Sequence, residues 1–415
     1  MSSTWHSRLE GNWGRPAPKL HVGGTHRTAT PRQTIERVAP FLPDMGVTRI
    51  ANVTGLDYLD IPVVMVTRPN SRALAVAQGK GVDLDHAKAS GVMETIETYH
   101  AERISLPLKL HSLDEIRRRH PVVDPAGLPT IPASRFHPHL PILWLEGYDL
   151  MSRQPVWVPY ESVHVNYSRP LPQGTGCFAS GSNGLSSGNH LLEAISSGIC
   201  EVVERDCDAL WMIAADADAE QRRLDLRSVT DATCRGILDK YDKARMTVEV
   251  CETTSDVGLA AFRCLIREAD DNPHPRQGLF FGAGCHPSRR IALLRALTEA
   301  AQSRLTYISG SRDDIERRDY RRPDDTAPTG TKSKSPIRGF EAAPTYESSS
   351  LNDDLAWELD HLRTIGIERV IVVDLTQEEF GIPIVRVIIP GLEGMPDGSD
   401  YVPGRRAQAV AGATT

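Results

Sequence analysis

The sequence predicts an α+β protein of two pseudo-repeated halves, in which mixed or antiparallel sheets back helices that carry carboxylates. Three observations support this. A shift of 107 residues superimposes Gly81 on Gly188, Ala87 on Ala194, Ser90 on Ser197, Gly91 on Gly198, Glu94 on Glu201 and Glu97 on Glu204, without a gap. The second copy, Gly181 to Asp206, is amphipathic at roughly 100° per residue. Asn189, Glu193, Glu201 and Glu204 share about a third of its circumference, and Leu191, Leu192, Ile195, Ile199, Val202 and Val203 take the opposite arc, which goes to the core. Between the copies, PILWLEGYDL and PVWVPYESVHV alternate as antiparallel strands do, and beyond Trp211 strands alternate with helices.

Residues 1–20 are polar, carry Gly and Pro without periodicity, and read as a loosely held arm. A GGTHRT stretch, Gly23–Thr28, precedes a helix that has Pro31 in its first turn and runs to Phe41. RIANVTG and IPVVMVTRPN, rich in β-branched residues, read as two short strands. A glycine turn, Gln78–Gly81, then feeds a helix from about Asp85 to Arg103, with Glu94 and Glu97 on one face. After the second copy come a helix near 227–242, the strands MTVEVCETT, GLAAFRCLIRE and GLFFGAGCH, and a long helix from about Arg290 to Ser309. On that helix Arg295, Glu299, Gln302 and Thr306 share one side, while Arg304 projects from the apolar arc and needs either a buried partner or cover around most of the helix. Residues 318–350, rich in Pro, Ser, Thr and charge, read as a mobile insertion in a domain spanning 21–394. A helix at 353–364 and two strands, ERVIVVDLT and GIPIVRVIIPG, close the fold, and 395–415 reads as a loosely ordered tail.

The net charge of −7 argues against a nucleic-acid surface. No apolar run reaches the roughly 18 residues of a membrane span, and the N-terminal stretch lacks the apolar core of a signal peptide, so a cytoplasmic location is expected. Seven cysteines without a CxxC pair favour free thiols over zinc or disulfides.

Four carboxylates brought together repel unless a cation lies between them. A set made of Glu alone favours Mg2+ over zinc, and Mg2+ held by few protein oxygens commonly bridges to phosphates. Lys80, Arg205 and Arg295 are the matching phosphate holders. There is no GxxxxGK[ST] loop and no GxGxxG after a strand, so any nucleotide is held in another way.

SNGLSSGNHLLEAISSGICEVVERD, QGKG with METIE downstream, and RALTEAAQSRL resemble the YcaO family from about Gly23 to Gly394. GGTHRT and FGAGCHPSRRIALLRALTEAAQSRLTYISGSRDD resemble its TfuA-associated branch. The resemblance implies a YcaO-like fold and a homodimer. It also implies that ATP and Mg2+ activate a backbone amide oxygen of a precursor peptide or protein by phosphorylation, after which a nucleophile adds and phosphate leaves. Sulfide, used in the branch that works with a TfuA-like partner, yields a thioamide; a neighbouring Cys, Ser or Thr yields an azoline. Glu94, Glu97, Glu201 and Glu204 match the family's magnesium ligands. Lys80, Ser186, Asn189, Glu193, Arg205, Arg295 and Glu299 match positions at its nucleotide, with Arg205 and Arg295 also taken as catalytic. Thr25, His26 and Arg27 resemble a phosphate-side loop of the branch. Ala77 stands where relatives often carry Ser, and the PxPxP ending of many azoline-forming members is absent, which lowers the azoline reading. The general base stays unassigned, with His100, His190 and His286 as candidates by sequence proximity.

Overall fold

The structure, a computed structural model, describes residues 9–11, 13–214, 221–274, 277–314, 338–394 and 401–413. Helix α1 (Pro31–Val38) starts where sequence chemistry places it. Thr30 and Gln33 form a capping box, and Pro31 occupies a first-turn position where its missing N–H costs nothing.

Three antiparallel sheets follow. Strands β1 (Arg49–Asn52), β2 (Val63–Thr67) and β3 (Val76–Lys80) make the first, and β3 leads into α2 (Leu84–Glu102). The second has six strands: β4 (Leu108–His111), β5 (Ile142–Asp149), β6 (Gln154–Pro159), β7 (Leu185–Ser187), and, from far along the chain, β11 (Ile371–Asp374) and β12 (Ile384–Ile388). Their order is β4-β5-β11-β12-β7, with β6 on β5. β7 leads into α3 (Leu191–Ile213). The third sheet, β8 (Met246–Glu252), β9 (Ala260–Glu268) and β10 (Phe280–His286), leads into α5 (Arg289–Ser309), with α4 (Ala232–Lys243) packed beside it. α6 (Leu351–Thr364) and α7 (Arg405–Ala413) complete the fold.

The central sheet separates two cores by the period-2 alternation of its strands. Ile371, Val373, Ile384 and Ile388 pack with α2 residues Val92 and Ile96, while Val372, Val385 and Val387 pack with Ile195, Ile199 and Val203 of α3 and with Leu355 and Leu359 of α6. A third core joins the last sheet to α4 and α5.

The repeat has a third copy that the sequence reading missed. The N-caps Asp83, His190 and Ser288 start three strand–helix units. Counted from these caps, Glu94, Glu201 and Glu299 are equivalent, and so are Glu97, Glu204 and Gln302. Glycine on the strand lets the helix approach: a Cβ at Gly79 would stand 2.0 Å from the Ala87 carbonyl oxygen, and one at Gly284 would stand 2.1 Å from that of the equivalent Ala292.

Several expectations change. The predicted turn Gln78–Gly81 lies mostly in β3, because Val76–Lys80 pairs with Val63–Thr67. The predicted helix near 227 begins only at Ala232, where Asp231 caps it. The described part of the expected loose arm is held: Leu9 and Ala17 are buried, Lys19 pairs with Asp354 at 2.6 Å, and Asn352 accepts the Ala17 N–H. Of the expected mobile insertion, 318–337 lies outside the described residues. Residues 338–350 are packed, with Phe340 and Ala343 buried and Glu347 bonded to Ser288. In the expected loose tail, 395–400 and 414–415 lie outside the described residues, whereas Arg406 forks onto buried Asp206 at 2.9 and 3.0 Å. Each segment covers polar groups that would otherwise be buried unpaired.

Candidate active site

The three units converge on one cleft of about 570 Å³. It is lined by every residue expected at the metal or the nucleotide: Lys80, Glu94 and Glu97 from the first unit, Ser186, Asn189, Glu193, Glu201, Glu204 and Arg205 from the second, and Arg295 and Glu299 from the third. Thr25, His26 and Arg27 form part of the same wall. The acidic face of α3 therefore does not face solvent as a free-standing helix would present it. Glu193 is 1% exposed and Glu204 is 5% exposed.

Burial dominates the electrostatics. It pushes Glu97 up to about 8 despite a bond from Ser187 Oγ at 2.5 Å, with Glu201 and Glu94 adding repulsion. Burial also pushes Glu94 up to about 7, against the pull of Lys80 and Arg312. Glu201 and Glu204 are raised by burial too, with Arg205 opposing. Glu299 goes the other way: burial works to raise it, but Lys80, which bonds it directly, and Arg205 hold it below the usual carboxylate range. Glu204 accepts the Cys285 N–H at 2.9 Å, and Arg295 donates to the Cys285 carbonyl at 3.1 Å. Among the described residues, the carboxylates of Glu94 and Glu201 have no hydrogen-bond or ion-pair partner.

Glu193 has a different part from the metal set. It accepts from Thr28 N and Oγ1, both at 2.9 Å, and from Asn189 N at 3.1 Å, so it ties the GGTHRT stretch to the start of α3. Asn189 is fixed through Thr34 at 2.9 Å. Among the histidines proposed as base, His286 lines the cleft. His100 is buried among Tyr99 and Phe380 with Nδ1 on the Ile96 carbonyl, and His190 is spent capping α3. Cleft residues that the sequence reading did not assign to the site include Arg312, whose charge acts on Glu94; Ser187; and Gln302, which it placed on one helix face with Arg295 and Glu299 and which donates to the Gln78 carbonyl at 2.7 Å. The third copy of the repeat was the signal that could have found Gln302.

Residues 78–393 match the family described as YcaO cyclodehydratase, ATP- and Mg2+-binding. The chain belongs to the YcaO family. It is 35% identical over 390 residues to an uncharacterized protein in the tfuA 3′ region of Rhizobium leguminosarum bv. trifolii, covering 92% of each chain. It is 33% identical over 390 residues to an uncharacterized protein of Methanothermobacter thermautotrophicus, covering 88% of this chain and 94% of the other. Among solved structures, YcaO from Methanopyrus kandleri bound with AMPPCP and Mg2+ superimposes with a TM-score of 0.70 at 22% identity, covering 92% and 99% of the two chains. A heterocyclase in complex with substrate and cofactor gives 0.73 at 22% identity over 92% of this chain, but this chain spans only 54% of that one. These likenesses establish a YcaO fold.

As a YcaO protein the chain binds ATP and Mg2+, and the cleft suits both. Among the described residues, no three His, Cys, Asp or Glu side chains could enclose a metal ion unaided. That fits Mg2+, which takes one or two carboxylates and completes its shell with water and phosphate. The carboxylates of Glu94 and Glu201, pushed toward neutrality by burial and by neighbouring acids, are groups that a divalent cation would relieve. Among the described residues, no helix is long and apolar enough to cross a membrane.

Proposed function

We propose that this YcaO protein uses ATP and Mg2+ to phosphorylate a backbone amide oxygen of a ribosomally made precursor peptide or protein, giving a thioamide with a TfuA-like partner. The carrying observation is the convergence of Glu94, Glu97, Glu201 and Glu204 with Lys80, Arg205 and Arg295 around one cleft. Bound there, Mg2+ would neutralise phosphate charge. Glu94, Glu97, Glu201 and Glu204 would hold Mg2+ ions, one or two carboxylates to each, with phosphate and water completing the shells. Lys80 and Glu299, already bonded to each other, sit with Ser186 and Asn189 where the nucleotide would lie, and the guanidiniums of Arg205 and Arg295 would hold the charge that develops during transfer. Positioning then supplies much of the catalysis, since an amide oxygen is a weak nucleophile.

The tfuA-region relative supports the thioamide and the partner. The cyclodehydratase description of the family favours azoline formation as the second reading. A non-catalytic docking subunit is disfavoured, because buried, mutually repelling acids are costly to keep without a cation to hold. The reading includes a homodimer, which sedimentation of the purified chain checks.

Glu201→Gln should abolish peptide-dependent ATP consumption while leaving the circular dichroism spectrum unchanged; wild-type turnover in this variant would sink the reading. Mass spectrometry of the treated peptide separates the products, since loss of water marks an azoline and exchange of oxygen for sulfur marks a thioamide.

A further inference from the structure

Two imidazoles in the cleft wall have tautomers set by their hydrogen bonds. His26, in the GGTHRT stretch, is 3% exposed. Arg290 Nη2 lies 3.0 Å from its Nε2. A guanidinium can only donate, so Nε2 accepts and the ring proton sits on Nδ1. That Nδ1–H is buried and has no partner among the described residues. His286 meets the ring edge-on, with centroids 5.2 Å apart. Its Nδ1 accepts the Ser288 N–H at 2.9 Å, which leaves its proton on Nε2. Both rings line the cleft.

The surroundings of this corner are rich in cations, and the carboxylates among them are engaged. Burial, followed by the charge of Lys19, holds His26 down to about 4. Burial, followed by His26 and Arg295, holds His286 well below its ordinary range. Both rings are therefore neutral and present N–H groups rather than basic nitrogens. The cations acting on them are Lys19, Arg27, Arg290 and Arg295. Glu347, a carboxylate that acts on His26, is engaged by Ser288 Oγ at 2.5 Å and Arg290 Nε at 3.3 Å, and Asp354 and Glu193 are engaged by Lys19 and Arg27. Ser288 is also the N-cap of α5, whose dipole adds positive potential at the corner. A buried N–H left without an acceptor is costly, which makes an unmet donor in a cleft wall a mark of a missing ligand.

We propose that His26 Nδ1–H and His286 Nε2–H form a seat for an anion: either an oxygen of the nucleotide's phosphates or the hydrosulfide nucleophile. The second occupant rests on the thioamide reading; the seat itself does not. The assignment also withdraws His286 from the role of general base, because its accepting nitrogen is already bonded to the Ser288 N–H.

The test uses bromide, an anion similar in size to hydrosulfide. Crystals of the full chain are soaked in sodium bromide, once without nucleotide and once with AMPPCP and Mg2+, and the anomalous signal is mapped. A bromide peak within hydrogen-bond distance of both nitrogens is expected without nucleotide. If the peak persists beside the bound analogue, the seat serves the nucleophile; if a phosphate oxygen replaces it, the seat serves the nucleotide. His26→Asn, whose amide N–H can replace Nδ1–H, should keep the peak, and His26→Leu should lose it. The absence of any anion at these nitrogens in both states overturns the seat, as does a peak that survives His26→Leu. None of these readouts involves peptide turnover, so the seat and the thioamide reading can fail separately.

Discussion

Glu97 and Glu94 show how the cleft works at the scale of single residues. Burial comes first among the causes that lift them to about 8 and about 7, from an ordinary 4.5. In the metal-free protein these groups keep their protons through a range in which the unfolded chain has released them. At these two groups the folded state then binds more protons than the unfolded one, so their contribution to stability falls as pH rises from about 4.5 to about 8 and levels off beyond, while buried His26 and His100, held down to about 4, contribute in the opposite sense over the lower part of that window. Glu97→Gln should flatten this decline relative to the wild type in calorimetry without metal, and Mg2+ should raise the melting temperature more at the alkaline end than at the acid end. A Glu97→Gln profile that runs parallel to the wild type across this window would contradict the assignment of these carboxylates. The spacing of the glutamates was legible in the sequence, because helical periodicity is local. Their elevated proton affinity was not, because it depends on burial by segments distant in the chain.

At the scale of elements, the strand–helix unit is the repeated object, and glycine sets how closely its two parts approach. A Cβ at Gly79 would come 2.1 Å from the Gly91 backbone nitrogen as well as 2.0 Å from the Ala87 carbonyl oxygen. Gly79→Ala should therefore push α2 off β3, cost about 1–3 kcal/mol in denaturant unfolding, and lower turnover by displacing Glu94 and Glu97. Gly236, inside α4, has nothing near its missing Cβ. Gly236→Ala should raise stability by about 0.5–1 kcal/mol in the same experiment. If the two substitutions behaved alike, glycine would be acting through chain flexibility rather than close approach. Two copies of the unit could be read from the chain because they share small residues and Glu-x-x-Glu. The third escaped because it keeps the geometry with different letters: Arg295 where the others have Ser, Ala296 where they have Gly, and Gln302 where they have Glu.

Over the whole molecule, buried ion pairs join segments far apart in the chain. Arg304, which broke the amphipathic pattern of its helix, donates to Asp57 at 2.8 Å and to Glu268 at 2.6 Å, and so ties α5 to the β1–β2 connection and to β9. Both side chains of each pair are 1% exposed. Arg304→Met leaves two buried carboxylates without their partner and should destabilise the protein by about 3–5 kcal/mol in chemical denaturation. A loss below about 1 kcal/mol, the range of surface pairs, would show that the clasp is not buried in solution. At this scale the sequence reading was weakest. The arm, the insertion and the tail looked loose because their composition is polar, yet their described parts hold Asp354, Ser288 and Asp206.

By itself, the sequence determined which residues are the candidates for the chemistry. Helical period, glycine placement and the 107-residue repeat are properties of short windows, and they named the glutamates and cations that line the cleft. Only the tertiary structure decided what those faces look at. β12 enters the central sheet between β11 and β7, nearly two hundred residues from the latter in sequence, and that pairing helps turn the acidic face of α3 inward toward α2 and α5. A local pattern tells which side chains share a face. Which faces meet, and so which acids lose water and which imidazoles keep an unmet N–H, depends on contacts between segments that no window of the sequence contains.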